Sequence, residues 1–388
     1  MTPKPAPSLW LLGLASSLSP FGMVVLVPTL GAFAQRYAVG QGEAQFLIAT
    51  YLFGLGIGQP VLGALSDRYG RRPVIIGGFA LFTAASISCA LATSFPVLLF
   101  CRLLQAIGVS VGTVGSRAIV RDTHDALGAV RVLSWIGAAM GIAPVIGPVI
   151  GGLLTGWAGP QSVFTASALL GGLVTVAMYV RLTETRQFSA ATTETRRWPT
   201  SYRQLLGDRV FMGYTLMYAF MQGCFFAFLA VAAVVFSEHL GMNESVFGTI
   251  WGAMGIVYVA GAMSGTRLTA RLGVRRALRL GTGLILLSGL SLVAATALWG
   301  VTLPGLLAPL TLLMFASGVQ TPLAVAGAVN CRPDIAGTAG GLSSSLALVI
   351  SGSFSIIAGF LYEGDFLPVA ALIAASAGMS VVTCRMTR

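Results

Sequence analysis

The chain has 388 residues, of which 56% are hydrophobic and only 9% charged, whereas an ordinary soluble domain carries about 25% charged residues. That composition excludes a soluble globular protein and describes a chain that crosses a bilayer many times. Net charge is +11, and of the 23 basic residues only Lys4 is not arginine; because the arginines cluster in short segments between apolar runs, the excess reports membrane orientation and not a nucleic-acid partner.

A helix needs about 20 apolar residues to cross roughly 30 Å of hydrocarbon. Twelve runs qualify, at 8–30, 44–65, 73–92, 96–118, 132–155, 162–182, 210–236, 246–268, 276–299, 303–327, 336–360 and 366–384. The first lacks a small-residue cleavage site and reads as a retained helix. With the N-terminus inside, every basic residue except Arg36 and Arg102 falls on a cytoplasmic segment or span end. The outer connections carry Glu43, Glu238, Glu244, Glu363 and Asp365 instead. Losing one span would invert half of this pattern, so both termini are expected in the cytoplasm. The polar stretch 183–209 divides the spans six and six. The expected organisation is an all-α membrane protein with an N-terminal bundle at 1–182, a cytoplasmic linker at 183–209 and a C-terminal bundle at 210–388. In lipid the 49 glycines read as close helix contacts rather than loops.

The densest charge lies between the second and third runs, in Gly63-Ala64-Leu65-Ser66-Asp67-Arg68-Tyr69-Gly70-Arg71-Arg72. Such a knot cannot lie in hydrocarbon and is expected to form a tight loop at the cytoplasmic face. Gly70 permits the turn, and Pro73 suits the start of the next helix. Asp67 and Arg71 stand four apart and can pair on one helical face. The plain alternative is a positive-inside anchor.

Arg102 falls inside the fourth run, in Arg102-Leu103-Leu104-Gln105-Ala106-Ile107-Gly108. A charge within a span is expensive and marks function by default, the alternative being an arginine that snorkels to the interface. The same helix ends in Arg117-Ala118-Ile119-Val120-Arg121-Asp122. The fifth run holds Ala143, Pro144, Gly147, Pro148, Gly151 and Gly152; its prolines each remove a helix hydrogen bond, so a kinked, closely docked helix is expected. In the seventh run Tyr214, Tyr218, Gln222 and Phe225 recur at helical spacing, as do Trp251, Met254 and Tyr258 in the eighth. These stripes line a candidate substrate pocket or simply pack helices. After the eighth run, Arg271-Leu272-Gly273 repeats Arg68-Tyr69-Gly70, with Ala270 where the first copy has Asp67. Paired halves are the usual plan of secondary transporters.

Five cysteines stand singly, so neither a disulfide framework nor a metal site is expected, and no cofactor. Neither the H-E-x-x-H nor the G-x-S-x-G pattern of hydrolases occurs, and no phosphate-binding G-x-x-x-x-G-K-[ST] loop, so neither an enzyme nor direct use of ATP is expected.

The order G-x-L-S-D-R-x-G-R-R resembles the loop 2–3 signature of the major facilitator superfamily. R-x-x-Q-x-x-G in the fourth run resembles the signature of its proton-coupled members, which implies a proton-coupling role for Arg102 and Gln105. The fifth run resembles the exporter signature G-x-x-x-G-P-x-x-G-G, with Ala143 at the opening glycine. Gly56-Ile57-Gly58-Gln59-Pro60, Ser116–Asp122, Ala143-Pro144 and Leu182-Thr183-Glu184-Thr185 look like the bicyclomycin/chloramphenicol-resistance branch of drug:proton antiporters. The resemblance implies that helices two, four and eleven meet at the cytoplasmic face. There Gly63, Asp67, Arg68, Gly70, Arg71, Arg72 and Asp122 would form a conformational latch, with three independent solvated charges as the alternative.

One departure matters. Within the first run, the stretch Ser19–Pro28 carries no acidic residue, and no Asp or Glu lies at mid-membrane in any run. A cationic drug normally needs a buried acid, so a neutral, zwitterionic or anionic small molecule is expected, and the proton carrier is left unassigned. The expected function is proton-coupled efflux by a monomer in a bacterial inner membrane, with protons and the bilayer as further partners. An importer or facilitator on the same fold is the alternative, and a non-transporting receptor or a membrane enzyme is a further class.

Overall fold

The computed structural model describes residues 8–124, 126–185, 198–242, 244–332 and 335–387. Among these residues twelve helices are long and apolar enough to cross a membrane, and no strand occurs. Hydrocarbon offers backbone groups no partner, so each span must close its own hydrogen bonds as a helix. The all-α fold expected from the hydropathy runs is therefore the one adopted.

Several helices outrun their apolar stretches. The second span continues as Phe46–Tyr69 and the fourth as Phe95–Thr123, so Asp67, Arg68, Arg117 and Asp122 are helical. The expected loop at 63–72 is thus corrected to a single residue, Gly70, since the third span starts at Arg71. Gly70 sits at φ 102°, a backbone region that costs a side-chain-bearing residue energy.

The first span is the irregular one. It runs as Leu9–Val24, breaks, passes a 3₁₀ turn at Val27–Thr29 and resumes as Leu30–Tyr37. Pro28 has no N–H to continue the ladder. The break leaves carbonyls of the preceding turn without helical partners.

The spans gather into two compact units. The first holds spans one to six without Ala38–Ala49, which groups with spans seven to twelve in the second. In the first unit the first span packs on the fifth, and the third on the fourth and sixth. In the second unit the seventh packs on the eleventh, and the ninth on the tenth and twelfth. The same pairing pattern thus occurs in each unit, as a sequence repeat predicts. Gly273 precedes the ninth span at φ 79°, as Gly70 precedes the third, so the weak Arg-x-Gly repeat marks one turn made twice.

Close packing rests on glycine. A Cβ on Gly108 would stand 2.6 Å from the Gly78 carbonyl oxygen, so the third and fourth spans can approach only without it. Of the stretch 183–209, residues 186–197 lie outside the described residues. Trp198–Gly207 is a helix whose Leu205 is buried with Phe211, Ala328 and Ala339 of the second unit. Asp208 then caps the seventh span, its Oδ1 accepting from the backbone N–H groups of Val210 (2.9 Å) and Phe211 (3.1 Å).

Candidate functional site

Arg102 lies two turns inside the fourth span and is 1% exposed. The snorkelling alternative is excluded, because the guanidinium is enclosed by the first unit. Its Nη1 donates to Gln105 Oε1 and its Nη2 donates to the Gly22 carbonyl at 2.7 Å. Gly22 belongs to the last turn before the first span breaks, so its oxygen is one of the acceptors that the break releases. A cation at that helix end also meets the negative pole of its dipole. The plane of charge lies over the Tyr51 ring, 3.9 Å from its centroid, with Phe164 at 5.8 Å. Tyr51 is itself fixed, its hydroxyl donating to the Ser19 carbonyl at 2.9 Å.

Gln105 transmits the arrangement to the third span. Its Nε2 donates to Ser86 Oγ at 2.7 Å, and Ser86 Oγ donates to the Phe82 carbonyl at 2.7 Å. With both amide ends used, Gln105 has one orientation. A guanidinium does not release its proton at physiological pH, so Arg102 acts as a fixed positive charge among oriented dipoles. Such a charge stabilises an anion or disfavours protonation of an approaching acid. Sequence reading found Arg102 and Gln105 but missed Tyr51, Ser86 and the Gly22 carbonyl. No spacing ties these residues together, because they come from three other spans.

At the Arg-rich end of the same unit, Arg71 joins three side chains. Its Nη1 donates to Asp67 Oδ1 and to Ser66 Oγ at 2.8 Å, and its Nε donates to Asp122 Oδ2 at 2.9 Å. The expected Asp67–Arg71–Asp122 cluster is formed, so the alternative of three separate solvated charges fails. It is built differently from the expectation of pairing along one helix: Gly70 ends the second span, and Arg71 reaches back to Asp67 from the next helix. The side chains of Arg71, Asp122 and Asp67 are 8%, 24% and 59% exposed. The pair to Asp122 is the better shielded of the two and the stronger.

Arg72 does not join this cluster. Its Nε donates to the Leu182 carbonyl at 2.8 Å and its Nη2 donates to the Tyr179 carbonyl at 2.9 Å, closing the C-terminal end of the sixth span. In return Glu184 accepts from the backbone N–H groups of Arg71 (2.9 Å) and Arg72 (3.1 Å), capping the third span. The two helix ends thus clamp each other. Arg68 lies over the ring of Tyr69, and Gly63 faces Val114 of the fourth span. Glu184 was visible in the sequence only as part of Leu182–Thr185; the signal for its role is a carboxylate placed directly after a span at the basic face. Glu184→Ala is expected to lower stability by about 1 kcal/mol, the usual worth of an N-terminal cap. Thermal unfolding of the purified protein checks this, and an unchanged midpoint would refute the clamp.

The fifth span runs as one helix, Ala126–Ala158, through both prolines, so the expected kink leaves no interruption of the helix. The side chain of Pro144 lies outside the described residues. Ala143, Gly147, Pro148 and Gly151 are buried, and Gly152 half-buried. A Cβ on Gly147 would press on Val24, and one on Gly151 would overlap the Val25 carbonyl. The glycines of this signature therefore seat the fifth span on the break in the first, one turn from the carbonyl that holds Arg102.

In the second unit Phe225 and Trp251 have ring centroids 5.5 Å apart, and Trp251 stacks on Phe228 and Phe247. Trp251 is 5% and Met254 8% exposed, and Met254 Sδ accepts from Thr311 Oγ1 at 3.6 Å. Both spend their surface on packing within the bundle. Tyr218, Gln222, Phe225 and Tyr258 are half-buried.

Comparison with known proteins agrees with this architecture. The family model described as Major Facilitator Superfamily matches residues 12–382. The chain is 31% identical over 364 residues to a chloramphenicol resistance protein of Pseudomonas aeruginosa, covering 90% of this chain and 84% of that one. It is 28% identical over 355 residues to multidrug resistance protein D of Escherichia coli (strain K12), covering 91% and 88%. The solved structure of a D-xylose-proton symporter superposes with a TM-score of 0.76 at 16% identity, covering 98% and 96%. With twelve spans in two units and a family match over nearly its whole length, this chain is an integral membrane transporter, not an enzyme, and belongs to the major facilitator superfamily.

Proposed function

We propose that the protein exports a small molecule across a bacterial inner membrane in exchange for protons, by alternating access. The observation that carries this reading is Arg102: a permanent charge buried to 1% exposure and held by Gln105 and the Gly22 carbonyl. Keeping such a charge in a span is costly. Its placement where the fifth span docks on the first ties it to the helix contact bearing the exporter-like signature. The resistance proteins of similar sequence support efflux over uptake. The substrate is neutral, zwitterionic or anionic, because a fixed cation repels a cationic ligand. The half-buried Tyr218, Gln222, Phe225 and Tyr258 supply aromatic surface and one amide for it. The Asp67–Arg71–Asp122 cluster works as the latch.

Inside-out vesicles containing the protein test this. Chloramphenicol and a panel of neutral and anionic drugs are expected to accumulate when the interior is acid, and to stop when a protonophore collapses the gradient. Gradient-independent equilibration would mean a facilitator, and accumulation only against the opposite gradient an importer. Orientation is checked separately. Single cysteines at Gly40 and Gly207 are expected to label from opposite sides, Gly40 from outside, as the arginine distribution requires.

A further inference from the structure

A cavity of about 270 Å³ opens at the Arg-rich end of the ninth and twelfth spans, lined by Arg275, Arg279, Thr282, Leu286, Arg385 and Thr387. Arg275 and Arg279 stand four apart on the ninth span, so they face the same side and repel each other. Arg385 adds a third cation from the turn Arg385–Thr387 that follows the twelfth span. This turn is seated, since a Cβ on Gly213 of the seventh span would stand 2.9 Å from the Met386 backbone. Among the described residues no acidic side chain in the cavity lining offsets the repulsion of the three cations.

We propose that the cavity binds the phosphate of an anionic phospholipid. Three converging guanidinium groups match phosphate oxygens, and basic pockets between spans are where anionic headgroups bind. One buried polar group lies at the inner wall. Thr282 is buried, donates to the Leu278 carbonyl at 2.8 Å and accepts from Gln320 Nε2 at 3.1 Å, so its position is fixed. The surroundings favour a lipid over a free phosphate. Leu280, Leu287 and Val382 are 47%, 54% and 61% exposed on the same two helices, and these apolar side chains form a bed for acyl chains beside the cavity. The proposed orientation puts this end at the cytoplasmic leaflet, where anionic lipid is drawn to basic side chains.

Native mass spectrometry of the detergent-solubilised protein with added phosphatidylglycerol or phosphatidylcholine tests the site. The wild type is expected to hold one phosphatidylglycerol in preference to phosphatidylcholine. The R275Q/R279Q pair is expected to weaken that binding about 30-fold, from the worth of two arginines near an anionic headgroup. The pair R267Q/R271Q removes the same charge from the eighth span, outside the cavity, and is expected to leave binding within about twofold. Equal losses in the two pairs would reduce the effect to diffuse charge and overturn the proposal. Displacement of the lipid by millimolar inorganic phosphate would also overturn it, in favour of a soluble anion site. Should R275Q/R279Q fail to fold, R385Q on the exposed terminal turn carries the same test with an expected loss of about fivefold, and undiminished binding would sink the site.

Discussion

Arg102→Ala is expected to abolish proton-driven export, a fall of about 100-fold or more, while the protein still reaches the membrane. Two charge-assisted hydrogen bonds are lost, each worth about 1.5–3 kcal/mol, and about 1.4 kcal/mol corresponds to a factor of ten in rate. The truncation also leaves Gln105 Oε1 and the Gly22 carbonyl without the donor that now satisfies them. Removal of the charge takes away its own desolvation cost at the same time, so folding suffers less than function. Arg102→Lys is the more discriminating change. An ammonium keeps the charge but not the planar fork that reaches Gln105 and Gly22 together, so partial export is expected, below one tenth of wild type. Substrate exchange without a gradient separates the possibilities. Retained exchange with lost gradient-driven transport identifies a coupling residue. Equal loss of both would mean that Arg102 only holds the bundle together, and wild-type export by Arg102→Ala would end the coupling assignment.

Arg71→Gln is expected to cut turnover about tenfold or more with much less effect on substrate affinity. Arg71 donates to Asp67, Ser66 and Asp122 and so holds the cluster together. Its loss leaves two carboxylates facing each other without the cation that now separates them. Each contact is modest, but a conformational gap of a few kcal/mol is tipped by one or two of them. The exposures rank the partners: Asp122→Asn is expected to cost more than Asp67→Asn, because the Asp67 side chain is 59% exposed and its pair is screened. Distance distributions between spin labels on the second and eleventh spans report the population shift. Unchanged distributions in both Arg71→Gln and Asp122→Asn would reduce the cluster to an anchor.

The sequence by itself determined the class and the count of spans. Twelve apolar runs, the arginine asymmetry and the polar stretch after the sixth run are one-dimensional facts, and the bilayer converts them directly into helices because it leaves the backbone no other option. The Arg68–Gly70 and Arg271–Gly273 repeat was legible because a positive-φ turn demands glycine whatever its surroundings. Charge told where hydrocarbon ends but not where helices end, so Asp67 looked like a loop residue, although Asp122 was legible as a helix end. Their side chains reach past the apolar zone while their backbone hydrogen bonds continue within the helix.

What surrounds each functional side chain was decided only by the tertiary structure. Whether Arg102 snorkels or is caged depends on the Gly22 carbonyl, 80 positions away, being freed by the break in the first span. Arg71 and Arg72 are neighbours of identical chemistry, yet one gathers carboxylates and the other closes the sixth span, because a helix start sends adjacent side chains about 100° apart. Glu184 caps the third span from 113 positions away. These assignments depend on which helices touch. That is set by the fit of small residues such as Gly108 and Gly151 against a neighbour's backbone, a condition that no local spacing encodes.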